Sequence, residues 1–349
     1  MGQDGKEQDT MAVKIAINGF GRIGRLVFRA AMERAGKIEV VGINDLFDTD
    51  MLSYMLKYDS THGKFPGTVT CKPGILVVNG TEYPVFAEKD PAKLPWGKLG
   101  VDVAIEATGK FTNKMADGKA GYDSHLAAGA KRVLLSAPAK DAPDVTIVLG
   151  VNDNLLNAKV KTVSNASCTT NSLAPPCKIL HEKIGIVKGL MTTIHAYTND
   201  QAILDIPYKD KRRGRAGALN TVPSSTGAAK AMGEVIPSLK GKLHGFALRV
   251  PVPDGSITDL TFIAARKTSV DEINSLIKAA AETSMKGIIE YVTDPIVSSD
   301  VIGNPHSSIF DSTNTMVLMD DMVKVTMWYD NEWGYSCRTV DLVERIGAL

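Results

Sequence analysis

Cys168 stands in Ser164-Asn165-Ala166-Ser167-Cys168-Thr169-Thr170-Asn171, after an apolar strand pattern and before a helical rhythm from Leu173 to Ile184. A thiol at or beside a helix N-terminus meets the positive end of the helix dipole, which lowers its pKa and raises the thiolate fraction. The chemistry on offer is addition to an electrophilic carbon with a covalent intermediate. A single cysteine is equally a small buried hydrophobe, and spacing alone leaves both readings open. Pro175 and Pro176 require that the helix has only just begun where they stand. His195 closes a long strand pattern in Thr192-Thr193-Ile194-His195-Ala196-Tyr197-Thr198. An imidazole beside a thiol can pair with the thiolate and exchange a proton with a substrate oxygen, although a lone histidine also serves structural ends. His62, His125, His181, His244 and His306 lack comparable surroundings in the sequence.

The second constellation is Gly19-Phe20-Gly21-Arg22-Ile23-Gly24. Gly19, Gly21 and Gly24 have the spacing for a tight turn, a bare backbone against a pyrophosphate, and close packing of a helix on its strand. Asp45 ends the next strand pattern, where a carboxylate accepts hydrogen bonds from ribose hydroxyls. A 2′-phosphate would meet like charge there, so NAD is expected over NADP.

These groups need elements to hold them. Ala12 to Asn18 and Glu39 to Ile43 read as buried strands around a helix from Arg22 to Arg34, a βαβ unit. Apolar runs at Val101 to Ala107, Arg132 to Ala137 and Val145 to Gly150, with an Ala- and Lys-rich helical stretch between the first two, extend it as a parallel sheet. Past Cys168 the pattern changes to long strands at Gly189 to Tyr197, His244 to Val252, Ile257 to Arg266 and Met322 to Tyr329, with helices at Ser224 to Ile236 and Val270 to Thr283. The expected fold is α/β: an N-terminal Rossmann-type parallel-sheet domain and an α+β catalytic domain with a mixed, largely antiparallel sheet. The expected division is 1–11 as a disordered leader, 12–167 with 332–349 as the dinucleotide domain, and 168–331 as the catalytic domain.

Composition narrows the partners. A chain of 349 residues exceeds one core's usual size, which favours two domains around a cleft. Lys and Arg total 40 against 39 Asp and Glu, so no overall positive field invites nucleic acid. No apolar stretch reaches the length of a membrane span. Four cysteines in so long a chain do not make a disulfide scaffold, and the polar opening lacks a secretory core, so cytoplasmic residence is expected. Asn199 to Pro223 carries Lys209, Lys211, Arg212, Arg213 and Arg215 without apolar periodicity; it reads as a functional or interface loop, or as a solvated basic surface.

The cysteine motif at 164–171, His-Ala-Tyr-Thr at 195–198, Ser-Thr-Gly-Ala-Ala-Lys at 225–230, Arg-Val-Pro at 249–251 and Trp-Tyr-Asp-Asn-Glu-Trp-Gly-Tyr at 328–335 together resemble the glyceraldehyde-3-phosphate dehydrogenase family from Ala12 to Leu349. The resemblance implies an NAD-dependent enzyme in which Cys168 attacks the aldehyde, His195 takes the proton, and inorganic phosphate releases an acyl phosphate from a thioester. By the same resemblance Thr198 and Arg249 belong to the substrate-phosphate site, with Arg213, or adjacent Arg212, as a further arginine. Ser167, Thr169, Thr226 and Gly227 belong to the sites for substrate and attacking phosphate. On the cofactor side it implies Arg22 and Ile23 at the pyrophosphate turn, Lys89 near the adenine, Thr108, Gly109 and Ser136 along the crevice, Asn331 beside the nicotinamide amide, and Tyr335 as its packing neighbour. Pro207 resembles the loop proline of NAD-using members, and the basic loop would reach a neighbouring subunit of a homotetramer. No metal is implied.

Two departures stand out. Ser172 replaces a second cysteine that many members carry, and Lys114 to Ser124 is several residues longer than usual. Two rival readings remain at this level: an erythrose-4-phosphate dehydrogenase with the same thiol chemistry, and an NAD-binding protein whose main role is not catalytic.

Overall fold

The computed structural model describes residues 12–349; the expected leader lies outside the described residues. The first half runs β1 (Val13–Asn18), α1 (Arg22–Met32), β2 (Ile38–Asn44), α2 (Thr49–Lys57), β3 (Val69–Lys72), β4 (Ile75–Val78), β5 (Thr81–Phe86) and α3 (Trp96–Leu99). It continues through β6 (Val103–Glu106), α4 (Ser124–Ala127), β7 (Arg132–Leu135), β8 (Val145–Thr146) and β9 (Thr162–Ser164). These strands form one sheet in the order β3-β4-β5-β2-β1-β6-β7-β9-β8. It is parallel from β5 to β8, with an antiparallel edge at β3 and β4. Ile15, Ile17, Val103, Ile105 and Leu134 are completely buried, as strands covered on both faces must be.

The second half begins at α5 (Cys168–Lys183) and β10 (Ile186–Ala196), then β11 (Val222–Ser224), α6 (Ala228–Val235), β12 (Leu243–Val250), β13 (Ser256–Ala264) and α7 (Val270–Glu282). It ends with β14 (Ile289–Val292), β15 (Ser308–Leu318), β16 (Met322–Tyr329) and α8 (Trp333–Gly347). Its sheet has the order β11-β12-β10-β13-β16-β15-β14 and mixes parallel pairs (β10 with β12, β14 with β15) with antiparallel ones. The side chains of α5, α6 and α7 bury one face of it around Leu173, Met232, Ile273 and Phe310. α8 returns to the first sheet: Cys337, Val340, Val343 and Ile346 share a core with Ile15, Val27 and Phe28.

Three local expectations change. The Ala- and Lys-rich stretch before β7 holds only the four-residue α4. Within it Asp117 and Gly118 adopt positive φ, and the amides of Lys114 and Met115 donate to the side chains of Asp141 and Asp123, so backbone donors are met without helix. The run from Val145 gives a two-residue strand, because Asn152 takes the Val148 amide and donates to the Thr146 carbonyl, closing a turn. Pro175 and Pro176 sit inside a 16-residue helix that begins at Cys168 itself. Two prolines there forgo intrahelical bonds, yet Leu173, Ala174, Cys177 and Leu180 at 0% exposure bury the helix, and packing outweighs propensity.

Candidate active site

Between β1 and α1 the chain turns at Gly19, with φ +94°, where a Cβ would stand 2.7 Å from the Thr108 amide nitrogen. A Cβ on Gly24 would lie 1.9 Å from the Gly19 carbonyl oxygen, so the helix packs on its own entry turn only with glycine there. Gly21 is the N-cap of α1, exposed, with no side-chain cap and no atom within 4 Å of where a Cβ would be. The first amides of α1 therefore carry no side-chain cap and have the dipole behind them, the arrangement that receives a phosphate. Asp45 follows β2 and accepts from the Phe20 amide at 2.7 Å and the Phe47 amide at 3.1 Å, which fixes it beside that turn. Thr108 abuts the glycine turn, Gly109 follows with φ +71°, and Lys89 lies exposed beyond β5.

Cys168 is the first residue of α5, and the Ser167 hydroxyl caps the helix by accepting from the Thr170 amide at 3.1 Å. The turn before it is strained: Ala166 has φ +52°, and Tyr335 holds its carbonyl with a hydroxyl donated at 3.1 Å. The sulfur lies 3.5 Å from His195 Nε2 at the end of β10. On the far side of the ring, Nδ1 lies 2.7 Å from the Ala196 carbonyl oxygen and 2.8 Å from Arg249 Nη1. Nδ1 can donate to the carbonyl or accept from the guanidinium; only the first leaves Nε2 free to take a proton from the thiol.

Burial pushes the Cys168 thiol up, against the Arg249 charge and the Thr169 amide and hydroxyl, which pull it down. The sulfur itself is only partly buried and faces open space beside His195. Burial first, and the Arg249 charge second, lower His195 to about 3.

One cavity of about 550 Å³ joins the two constellations: Arg22 and Ile23 wall one side, and Cys168, His195 and Arg249 the other. Ser136, Asn331 and Tyr335 complete it, with Asn331 Oδ1 accepting from the Ser256 hydroxyl at 2.7 Å. Thr198 also borders it, its hydroxyl donated to Asp200, and the same carboxylate pairs with Arg213. The charge of Arg213 is felt at His195, whereas Arg212 is exposed, borders a separate depression and rests its amide on Asp210 at 2.9 Å. Of the two arginines, only Arg213 has its charge among the influences on His195. Thr169 is buried with its hydroxyl 2.9 Å from that of Tyr329, while Thr226 and Gly227 lie at the head of α6 and do not wall the cavity.

The chain resembles known proteins over nearly all its length. The pattern described as the glyceraldehyde 3-phosphate dehydrogenase NAD binding domain matches residues 13–114, and that of the C-terminal domain matches 167–331. Glyceraldehyde-3-phosphate dehydrogenase of Borreliella burgdorferi is 57% identical over 337 residues, covering 96% of this chain and 99% of the relative. The proteins of the same name from Mycobacterium tuberculosis and Geobacillus stearothermophilus are 55% and 53% identical, each over 97% of this chain and 99% of the relative. This chain belongs to the glyceraldehyde-3-phosphate dehydrogenase family.

For a glyceraldehyde-3-phosphate dehydrogenase, several contacts around the site gave no sign in the sequence. Tyr329 binds the hydroxyls of Thr169 and Thr193 at 2.9 and 2.8 Å, and its ring meets that of His195 edge-on. Arg22 is held by Asp59 at 2.8 Å and by both oxygens of Glu332. Burial opposes that guanidinium's charge, but Glu332 and Asp59 outweigh it and raise the pKa. His62, passed over in the sequence, lies 3.2 Å from Glu332 and 3.4 Å from Asp254. Each pair joins residues too far apart in the chain for spacing to show them.

Among the described residues, His62, Asp254 and Asp330 bring ligand atoms within 4.8 Å of one another. Asp254 is pushed up to about 9, by burial and then by Asp330, so it keeps its proton, and a protonated carboxyl makes a poor metal ligand.

Proposed function

We propose that this chain oxidises and phosphorylates glyceraldehyde 3-phosphate to 1,3-bisphosphoglycerate with NAD, using Cys168 as nucleophile and His195 as acid and base. The observation that carries this reading is the shared cavity, lined both by Arg22 and Ile23, which follow the glycine turn at the head of α1, and by the Cys168–His195–Arg249 group. The glycine turn fits a dinucleotide, since its uncapped amides and the space above Gly21 suit a pyrophosphate and a side chain there would obstruct it. In this reading Gly19, Gly21, Arg22, Ile23 and Gly24 hold the pyrophosphate, Asp45 the ribose, and Lys89, Thr108 and Gly109 the adenosine side. Ser136, Asn331 and Tyr335 border the nicotinamide end. NAD, when bound, supplies the acceptor for the hydride leaving the substrate carbon.

The remaining chemistry belongs to the chain. Cys168 Sγ gives its proton to His195 and bonds to the aldehyde carbon; His195 returns that proton to the carbonyl oxygen, and the hydroxyl of the resulting thiohemiacetal then donates to the freed Nε2 as the carbon is oxidised by loss of hydride. The product on Cys168 is a thioester. Inorganic phosphate attacks it, the C–S bond breaks, and the sulfur leaves as thiolate. Thr198, Arg213 and Arg249 would grip the substrate's phosphate, which must take the place of Asp200 between Thr198 and Arg213. Ser167, Thr169, Thr226 and Gly227 would serve the attacking phosphate.

The test is NADH absorbance with glyceraldehyde 3-phosphate, with phosphate present and absent, and again with NADP. Phosphate-dependent NADH formation supports the reading; turnover that ignores phosphate defeats it. Erythrose 4-phosphate as sole efficient substrate would reassign the enzyme.

The same reading takes 12–167 with 332–349 as the cofactor domain and 168–331 as the catalytic domain, supported by the return of α8 to the first core. It also takes the chain as a cytoplasmic homotetramer. Ile203, Leu204 and Leu219 are 83%, 71% and 78% exposed on the basic loop, an apolar surface that a neighbouring subunit would cover. Among the described residues, no helix is long and apolar enough to cross a membrane.

A further inference from the structure

Beneath the dinucleotide crevice a row of buried polar side chains crosses the ends of the parallel strands. Trp96 Nε1 donates to His125 Nδ1 at 2.9 Å, and His125 Nε2 lies 3.1 Å from Glu106 Oε2. Asn18 Nδ2 donates to that same oxygen at 2.5 Å. Asn44 carries the row onward, donating to Asn18 Oδ1 at 2.7 Å and to the Glu88 carbonyl at 2.9 Å, and accepting the Glu88 amide at 2.8 Å. Trp96, His125, Glu106, Asn18 and Asn44 are each at most 4% exposed.

The donors fix the direction of every link. An indole N–H only donates, so His125 Nδ1 accepts and the ring's proton sits on Nε2, aimed at Glu106. Glu106 Oε1 receives the Thr108 amide at 2.8 Å and the Thr108 hydroxyl as well. Its two oxygens thus hold four donors, and none of its acceptor positions is left over.

A row that merely stabilised the sheet could lie at any depth in it. This one lies immediately below the crevice residues: Asn18 precedes Gly19, Asn44 precedes Asp45, Glu88 precedes Lys89, and Glu106 stands two before Thr108. Tolerance there is small, because Gly19 and Thr108 already meet so closely that no side chain fits between them. We propose that Glu106 and His125, with Asn18 and Asn44, are positioning residues for the dinucleotide, setting Gly19, Asp45, Lys89 and Thr108 in mutual register. The inference rests on the reading of the crevice as the NAD site.

Glu106→Gln keeps the shape but turns one acceptor into a donor facing donors, and His125→Phe unpairs the Trp96 N–H and removes a donor from Glu106. Purified full-length protein is titrated with NAD, following both calorimetric heat and tryptophan emission, and steady-state kinetics are measured alongside. Each variant should weaken NAD binding and raise the KM for NAD about tenfold, with a much smaller change in the KM for the aldehyde. Ile277→Ala, in the other core, controls for general destabilisation: it should lower Tm and leave NAD affinity alone. Folded Glu106→Gln that binds NAD within about twofold of wild type overturns the proposal. Should neither central variant fold, Asn44→Ala at the end of the row decides: weakened NAD binding supports the proposal and unchanged binding overturns it. Wild-type protein that binds no NAD would instead defeat the reading of the crevice, a result visible before any variant is compared.

Discussion

Arg249 Nη1 stands 2.8 Å from His195 Nδ1 and 3.0 Å from the Ala196 carbonyl, so one guanidinium sits directly behind the imidazole that faces Cys168. Its charge acts on both members of the pair, lowering His195 and pulling the Cys168 thiol down against burial. A group proposed to grip the substrate's phosphate therefore also tunes the nucleophile.

Arg249→Leu should accordingly shift reactivity as well as affinity. Without the guanidinium the thiol loses its strongest downward influence, so the pH profile of Cys168 alkylation by iodoacetamide should move to higher pH. Loss of a charged hydrogen-bonding group should lower kcat/KM for the aldehyde about 10- to 100-fold. An alkylation profile that stays in place would show that Arg249 does not act on the sulfur.

Cys168→Ser should abolish NADH formation while NAD binding stays near normal, because a hydroxyl lacks the thiolate's nucleophilicity at neutral pH. His195→Asn should slow the chemical step by about 10² to 10⁴, the range for a lost acid/base group. Single-turnover NADH bursts separate these effects from binding. A change confined to the Michaelis constant would recast His195 as a binding residue.

The glycine turn, Asp45 and the position of Cys168 were legible in the sequence because each depends on local spacing: a turn, a strand end, a helix head. The 3.5 Å approach of His195 was not, since β10 must first be laid in its sheet beside α5. The influence of Arg249 on the Cys168 thiol was equally hidden, since β12 must first be laid beside β10 to bring the guanidinium near. His125 and His62 looked unremarkable because their partners, Glu106, Trp96, Asp254 and Glu332, lie far away in the chain. The prolines of α5 misled in the opposite direction, as local propensity gave way to a buried helix face.

Asp45 offers a test of cofactor choice. Its carboxylate is fixed by the Phe20 amide at 2.7 Å, close to the glycine turn, where a 2′-phosphate would meet its charge. Asp45→Ser should weaken NAD use and improve NADP use, narrowing the ratio of the two kcat/KM values by about tenfold or more. An unchanged ratio would move the ribose site elsewhere.

Asp254 ties stability to pH. It is 1% exposed and its pKa is pushed up to about 9, chiefly by burial and then by Asp330. The folded chain thus holds this proton more tightly than the unfolded chain, whose ordinary value is 3.8. The contribution is fully favourable below that ordinary value and is lost as pH rises through the folded one. Asn cannot ionise, and its amide can donate to Asp330 as the protonated carboxyl does, so Asp254→Asn should gain on wild type across this window. Each kcal/mol recovered should raise Tm by roughly 2–4 °C, and the gain should be larger near pH 9 than near pH 5. Thermal melts of both proteins at several pH values measure it. Two curves that run parallel from acid to alkali would mean that Asp254 is ionised in the native state.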